Sequence, residues 1–167
     1  MPTSRDLVYS KKTSWFLPTD NTVAVAITGT SWIGAQYSVG AGTFIWGARV
    51  FVNGGVITNH NAVFMWDTTG NLDVAMAPLN PNAPAGGWVN VWFPQRIAFV
   101  QYDTVNVACA LTTGYSRVVN ALTSPVTRGL ITAVHGFQST ALFPIGAALT
   151  LNANANAIDL LVGPRYV

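Results

Sequence analysis

The chain has 167 residues, enough for one domain with a real core, yet its eight basic and six acidic residues make up only 8% of it, against about 25% in an ordinary soluble domain. A net charge of +2, with the bases scattered among apolar segments, argues against a nucleic-acid partner. No apolar run approaches the ~20 residues of a membrane-spanning helix, and one cysteine, Cys109, allows neither an intrachain disulfide nor a cysteine metal cluster.

Residues 1–22 differ from the rest. They hold both lysines, Lys11 and Lys12, with Pro2, Pro18 and a Thr19-Asp20-Asn21 turn. Trp15 and Phe16 are the aromatic exceptions. This segment reads as an extended N-terminal arm that docks through those two rings, or as a first strand closing the domain edge. No signal-peptide core follows Arg5, so the expectation is synthesis in a cytoplasm without a cleaved leader.

From residue 23 to 167 the chain is a series of short β-prone runs parted by turn signals. Predicted strands are Val23–Thr28, Ala35–Val39, Thr43–Val52, Ala62–Thr68, Leu72–Ala77, Trp88–Phe93, Arg96–Phe99, Thr104–Leu111, Arg128–Val134 and Ala157–Val162. Between them stand glycine, proline and Asx turns at 39–42, 53–55, 69–71 and 78–87. Ala62–Thr68 and Leu72–Ala77 flank a short Gly-Asn turn and should form a hairpin.

Alternation assigns the faces. Val105, Val107, Cys109 and Leu111 should face a core, with Thr104, Asn106, Ala108 and Ala110 on a wet face. Val89, Val91 and Phe93 should likewise be inside. That puts Trp88, Asn90 and Trp92 on the outer face. The 152–157 run of alternating Asn and Ala reads as a surface loop or edge. No segment keeps a helical period. The predicted fold is all-β: an antiparallel β-sandwich, jelly-roll-like, with the arm at 1–22 and the domain at 23–167.

Several stretches resemble a known family. Ile33-Gly34-Ala35-Gln36-Tyr37 opens the match, and Gly42-Thr43-Phe44-Ile45-Trp46-Gly47-Ala48-Arg49-Val50-Phe51 continues it. Phe64-Met65-Trp66 with Thr69-Gly70-Asn71-Leu72, then Gly87-Trp88-Val89-Asn90-Val91-Trp92-Phe93-Pro94, follow. The strands at 103–108 and 158–162 also fit. Over residues 33–163 the chain is similar to the domain-of-unknown-function 4082 family. The resemblance implies a β-sandwich module of the kind found in secreted bacterial proteins and in tail or other virion proteins of phages.

Candidate chemistry is sparse. Glycoside hydrolysis needs carboxyls about 5 to 9.5 Å apart, and only Asp67 and Asp73, flanking the hairpin, could meet. His60 and His135 read as loop residues without metal-ligand spacing. No nucleophile elbow is present, and the residues assign neither a catalytic group nor a cofactor. The surface is more telling. Outer faces of Ala, Thr, Asn and Trp suit protein contacts. Edge strands with so few charges invite cover by partners or by the N-terminal arm.

The expectation is a non-enzymatic bacteriophage virion protein, a minor tail or tail-tip subunit. It would contact copies of itself and other virion proteins. A capsid decoration protein has the same features. The alternative is a carbohydrate-binding module for a bacterial surface glycan, with Trp92 as the stacking platform. Candidate contacts are Trp92, Trp88, Asn90, Trp15 and Phe16.

Overall fold

Strands follow from β-branched and aromatic residues repeating every second position between turn formers. The computed structural model describes residues 15–16, 20, 22–27, 31–52, 62–68, 73–78, 87–99, 103–111, 114–140 and 148–164. Among them every regular element is a strand, and every pairing is antiparallel. In order these are β1 (Val23–Ala26), β2 (Ser31–Val39), β3 (Thr43–Val52), β4 (Ala62–Asp67), β5 (Asp73–Pro78), β6 (Gly87–Phe99) and β7 (Asp103–Leu111). Then come β8 (Gly114–Val118), β9 (Val126–Arg128), β10 (Ile131–Ser139), β11 (Thr150–Asn152), β12 (Ala155–Asn156) and β13 (Ile158–Pro164).

One wall is a seven-stranded sheet ordered β11-β10-β2-β7-β4-β5, with β9 paired to β10. The facing wall is β13-β3-β6, and a smaller sheet runs β1-β8-β12. Ala157 N donates to Ser116 O at 2.7 Å and Phe51 N donates to Ala157 O at 3.0 Å, tying the smaller sheet to the second wall. Sheet neighbours such as β2 and β10, or β3 and β13, lie far apart in the chain. Such crossovers belong to a jelly-roll-like sandwich rather than a meander.

The core lies between the walls. Ile33, Tyr37, Val63, Met65, Val107 and Ile131 from the large sheet meet Ile45, Val50, Val91, Ile158 and Leu160 from the other. Val105, Val107, Cys109 and Leu111 all point into it, as their alternation predicts. Burial pushes the Cys109 thiol up to about 12, so it is a small apolar side chain rather than a nucleophile. The β4–β5 hairpin forms, with Phe64 opposite Met76 and Val63 opposite Ala77.

Four expectations need correction. The predicted strands 88–93 and 96–99 are one strand, β6. The ladder breaks inside it: Ile45 pairs with Ile97 and Gly47 with Trp92, so residues 93–96 of β6 bulge opposite Trp46, and Pro94 is tolerated in that unpaired stretch of a strand that ends its sheet's pairing order. The predicted strand 128–134 is broken after Arg128. Arg128 pairs with Ile131 across the loop Gly129-Leu130, and Gly129 has φ +62, the first-position glycine of a type II′ hairpin. The 152–157 run, read as a surface loop or edge, does supply an edge strand, β12, of the β1-β8-β12 sheet, but it is not at the surface throughout. Asn156 is buried, and its Nδ2 donates to Gly34 O at 2.8 Å and Phe137 O at 3.1 Å.

The fourth concerns the outer face of β7, which is not wet. Asn106, Ala108 and Ala110 are buried. Ala108 and Ala110 floor a second apolar cluster with Trp32, Phe64, Trp66 and Phe137. Beyond these corrections, β8 and β11 are short strands that the sequence reading did not assign. The predicted turns at 53–55 and 69–71, most of the proline-rich turn after Pro78, Lys11, Lys12 and His60 lie outside the described residues.

His135 is a strand residue of β10, beside a bulge between Ala133 and His135. Its Nε2 is buried without a partner, and burial holds the imidazole below its ordinary value. An unfolded chain therefore takes up a proton near pH 6.5 that the folded chain refuses until lower pH. Stability contributed by neutral His135 is complete above about pH 6.5 and is lost as pH falls through the folded value. Urea midpoints of wild type and His135→Gln, compared from pH 7.5 to 5, should show the wild type falling more steeply.

Candidate interaction site

The outer face of the β3–β6 pair carries the predicted contact residues. Register sets Trp88 opposite Phe51, Asn90 opposite Arg49 and Trp92 opposite Gly47. Alternation sends Val91 and Phe93 inward, so Asn90 and Trp92 are exposed as expected. Trp92 is 46% exposed. Gly47 offers no side chain across from it, and an added Cβ there would lie 2.1 Å from Val91 O. Further along, the Arg96 guanidinium stacks 4.6 Å from the Phe44 ring and 5.6 Å from the Trp46 ring. The face thus presents indole, amide and guanidinium groups.

Trp88 is only partly available. Its ring meets Phe51 at 5.6 Å and Phe16 at 5.1 Å. Arg49 lies 4.3 Å over it. Trp15 and Phe16 are further from the sequence-based expectation of an outward contact. They are 1% and 2% exposed, packed into the chain's own core. In this fold the arm's aromatics dock on the sandwich itself, and not as a paired strand.

The docking is polar as well as apolar. Asp159 on β13 is fully buried. Its Oδ1 accepts from Trp15 N at 3.1 Å and from Leu160 N at 2.8 Å. Its Oδ2 accepts from Phe16 N at 2.9 Å and from Arg49 Nη2 at 3.2 Å. Arg49 Nη2 also donates to Phe16 O at 2.6 Å. Arg128 donates to Trp15 O at 3.2 Å, pairs with Asp20 and stacks 4.0 Å over the Trp15 ring. Trp15 Nε1 donates to Val126 O at 2.8 Å.

Burial pushes the Asp159 carboxyl above the usual carboxylate range, against the pull of the Phe16 amide and the Arg49 charge. Burial, then the Asp159 charge, raises Tyr37, whose hydroxyl donates to Ile158 O at 2.7 Å. This clasp was missed in the sequence. Its signal was one acid in apolar Ile158-Asp159-Leu160 and one base in apolar Ala48-Arg49-Val50, a pattern that asks for an internal pair.

Asp67 ends β4 and Asp73 begins β5, with Trp66 opposite Asp73. Among the described residues no group of three His, Cys, Asp or Glu side chains could hold a metal ion. A groove of about 430 Å³ is lined by Ser31, Gln138, Ser139, Thr140, Ala148 and Thr150, which offer neutral hydroxyls and one amide. Among the described residues no helix is long and apolar enough to cross a membrane. No protein-family model matches the chain, and no curated protein matches it.

Proposed function

We propose that this chain is a non-enzymatic structural subunit of a bacteriophage virion, a minor tail or tail-tip protein. It acts by burying uncharged surface against copies of itself and other virion proteins. One observation carries the reading: a chain with only fourteen charged residues ties four of them into internal pairs. Arg49 pairs with Asp159 and Arg128 with Asp20. The surface meanwhile shows Val23, Trp92, Val119, Leu130 and Leu151, the last 56% exposed. Exposed apolar side chains with few charges between them favour association over free solution.

The virion as the setting rests on the motif resemblance read over residues 33–163, which no protein-family model reproduces. A capsid decoration protein would use the same surface. A second reading has one specific observation in its favour. Trp92, exposed beside Asn90 on the β6 wall, has the amphipathic ring that stacks on sugar C–H faces.

Sedimentation velocity on the purified chain separates the classes. The assembly subunit should sediment as an oligomer or associate with rising concentration. A concentration-independent monomer retained on bacterial envelope polysaccharide would favour the glycan module. Trp92→Ala should leave the chain folded, with a stability cost below that of truncating a fully buried aromatic, since 46% of the residue is exposed. It should also weaken whichever of the two contacts is real, association or envelope retention.

A further inference from the structure

Two arginines on the β13-β3-β6 wall each stack on aromatic rings. Arg49 lies 4.3 Å over Trp88 and finds its anion within the chain, the Asp159 carboxylate at 3.2 Å. Arg96 repeats the stacking, 4.6 Å from the Phe44 ring and 5.6 Å from the Trp46 ring. It does not repeat the pairing. The ion pairs among the described residues belong to Arg49 and Arg128, and no carboxylate among those residues meets Arg96. Stacking fixes the plane of a guanidinium and leaves its N–H edge for a two-oxygen acceptor.

An exposed indole stands beside this cation. Val91 and Phe93 point inward, so Trp92 points outward, and it is 46% exposed. Its register partner is Gly47, the residue next to the Trp46 on which Arg96 stacks. Asn90, exposed two positions earlier on β6, adds an amide that can donate and accept. The Trp88 end of the strand is closed by Phe16 at 5.1 Å, whereas Asn90, Trp92 and Arg96 are exposed.

Three chemistries meet here: a flat apolar face for sugar C–H groups, an amide for hydroxyls and a stacked cation for a carboxylate. A protein carboxylate would use the cation alone. A second copy is also a poor source of the acid. The chain has only six acidic residues; Asp159 and Asp20 are paired, and Asp103 accepts from Thr104 N at 2.7 Å.

We propose that Asn90, Trp92 and Arg96 bind an acidic glycan, with a uronic acid ring on Trp92, its carboxylate on Arg96 and a hydroxyl on Asn90. This rests on the glycan reading of Trp92 and is independent of self-association.

Affinity electrophoresis of the full chain tests it, in gels holding polygalacturonate, its fully methyl-esterified form or polyglutamate. Polygalacturonate should retard the chain, with binding to the ester weaker by about tenfold or more. Arg96→Gln and the charge-neutral Trp92→Ala, both at exposed positions, should each weaken binding about tenfold while circular dichroism stays unchanged. Arg96→Gln should also erase the difference between acid and ester. Equal retardation by acid and ester overturns the acidic ligand and leaves the glycan reading standing. Retardation that survives Trp92→Ala is general charge attraction and overturns the site. Polyglutamate as effective as polygalacturonate overturns the sugar and gives the wall to protein partners. No retardation by either polysaccharide overturns the site and the glycan reading together, and leaves the assembly reading untouched.

Discussion

Asp159→Ala should cost the fold about 3–5 kcal/mol in urea or thermal unfolding, the range for removing one partner of a buried ion pair. The carboxylate accepts from three backbone amides, those of Trp15, Phe16 and Leu160, and from Arg49. Alanine leaves all of these donors without that acceptor in a site closed to water. The loss is asymmetric: an unsatisfied buried donor carries its desolvation penalty, whereas an intact bond gives only ~1 kcal/mol net. Asp159→Asn should fall between the two, since its amide keeps one acceptor oxygen and loses the charge. The same variants should release Trp15, and tryptophan emission should shift red before global unfolding. A loss under about 1 kcal/mol would mean that the clasp is ornamental.

Phe137→Ala should cost a similar ~3–5 kcal/mol, the range for truncating a buried aromatic. Phe137 is fully buried in the second cluster and meets the Trp66 ring edge-on at 5.9 Å. Its ring rides directly over Gly34, where an added Cβ would fall 2.2 Å from Phe137 Cζ. The cavity cannot be refilled from below, because the same Cβ would also lie 2.5 Å from the backbone oxygen of Val107. Gly34→Ala in the Phe137→Ala background should therefore fail to rescue stability. Rescue would show that β2 can shift away from β7 more easily than their ladder suggests.

These positions show what was readable in the chain. Strand class, the β4–β5 hairpin and the inward set on β7 follow from local alternation, and the structure agrees. The outer face of β7 does not follow. Alanine serves equally as a wet-face residue or as a floor for large rings. The rings above Ala108 and Ala110 come from β2, β4 and β10. Only the tertiary fold brings Trp32, Phe64, Trp66 and Phe137 together.

The candidate site divides the same way. Exposure of Trp92 follows from the parity of its own strand. The cover on Trp88 comes from Phe16, remote in sequence, and could not be read from parity. His135 was misplaced because His-Gly looks like a turn. The strand continues through that pair, just past a bulge between Ala133 and His135.

The clasp also imposes an order on folding. The Trp15 amide and the Asp159 carboxylate are 144 positions apart, and β13 pairs with β3 across more than a hundred positions. On a ribosome the arm has no carboxylate to meet until residue 159 has been made. The second wall must wait equally long for its edge. Until then, long neutral strands stand with unpaired backbones and few like charges to hold neighbouring nascent chains apart. Slow, late closure is the kinetic signature to expect, with yield that falls as expression rate climbs.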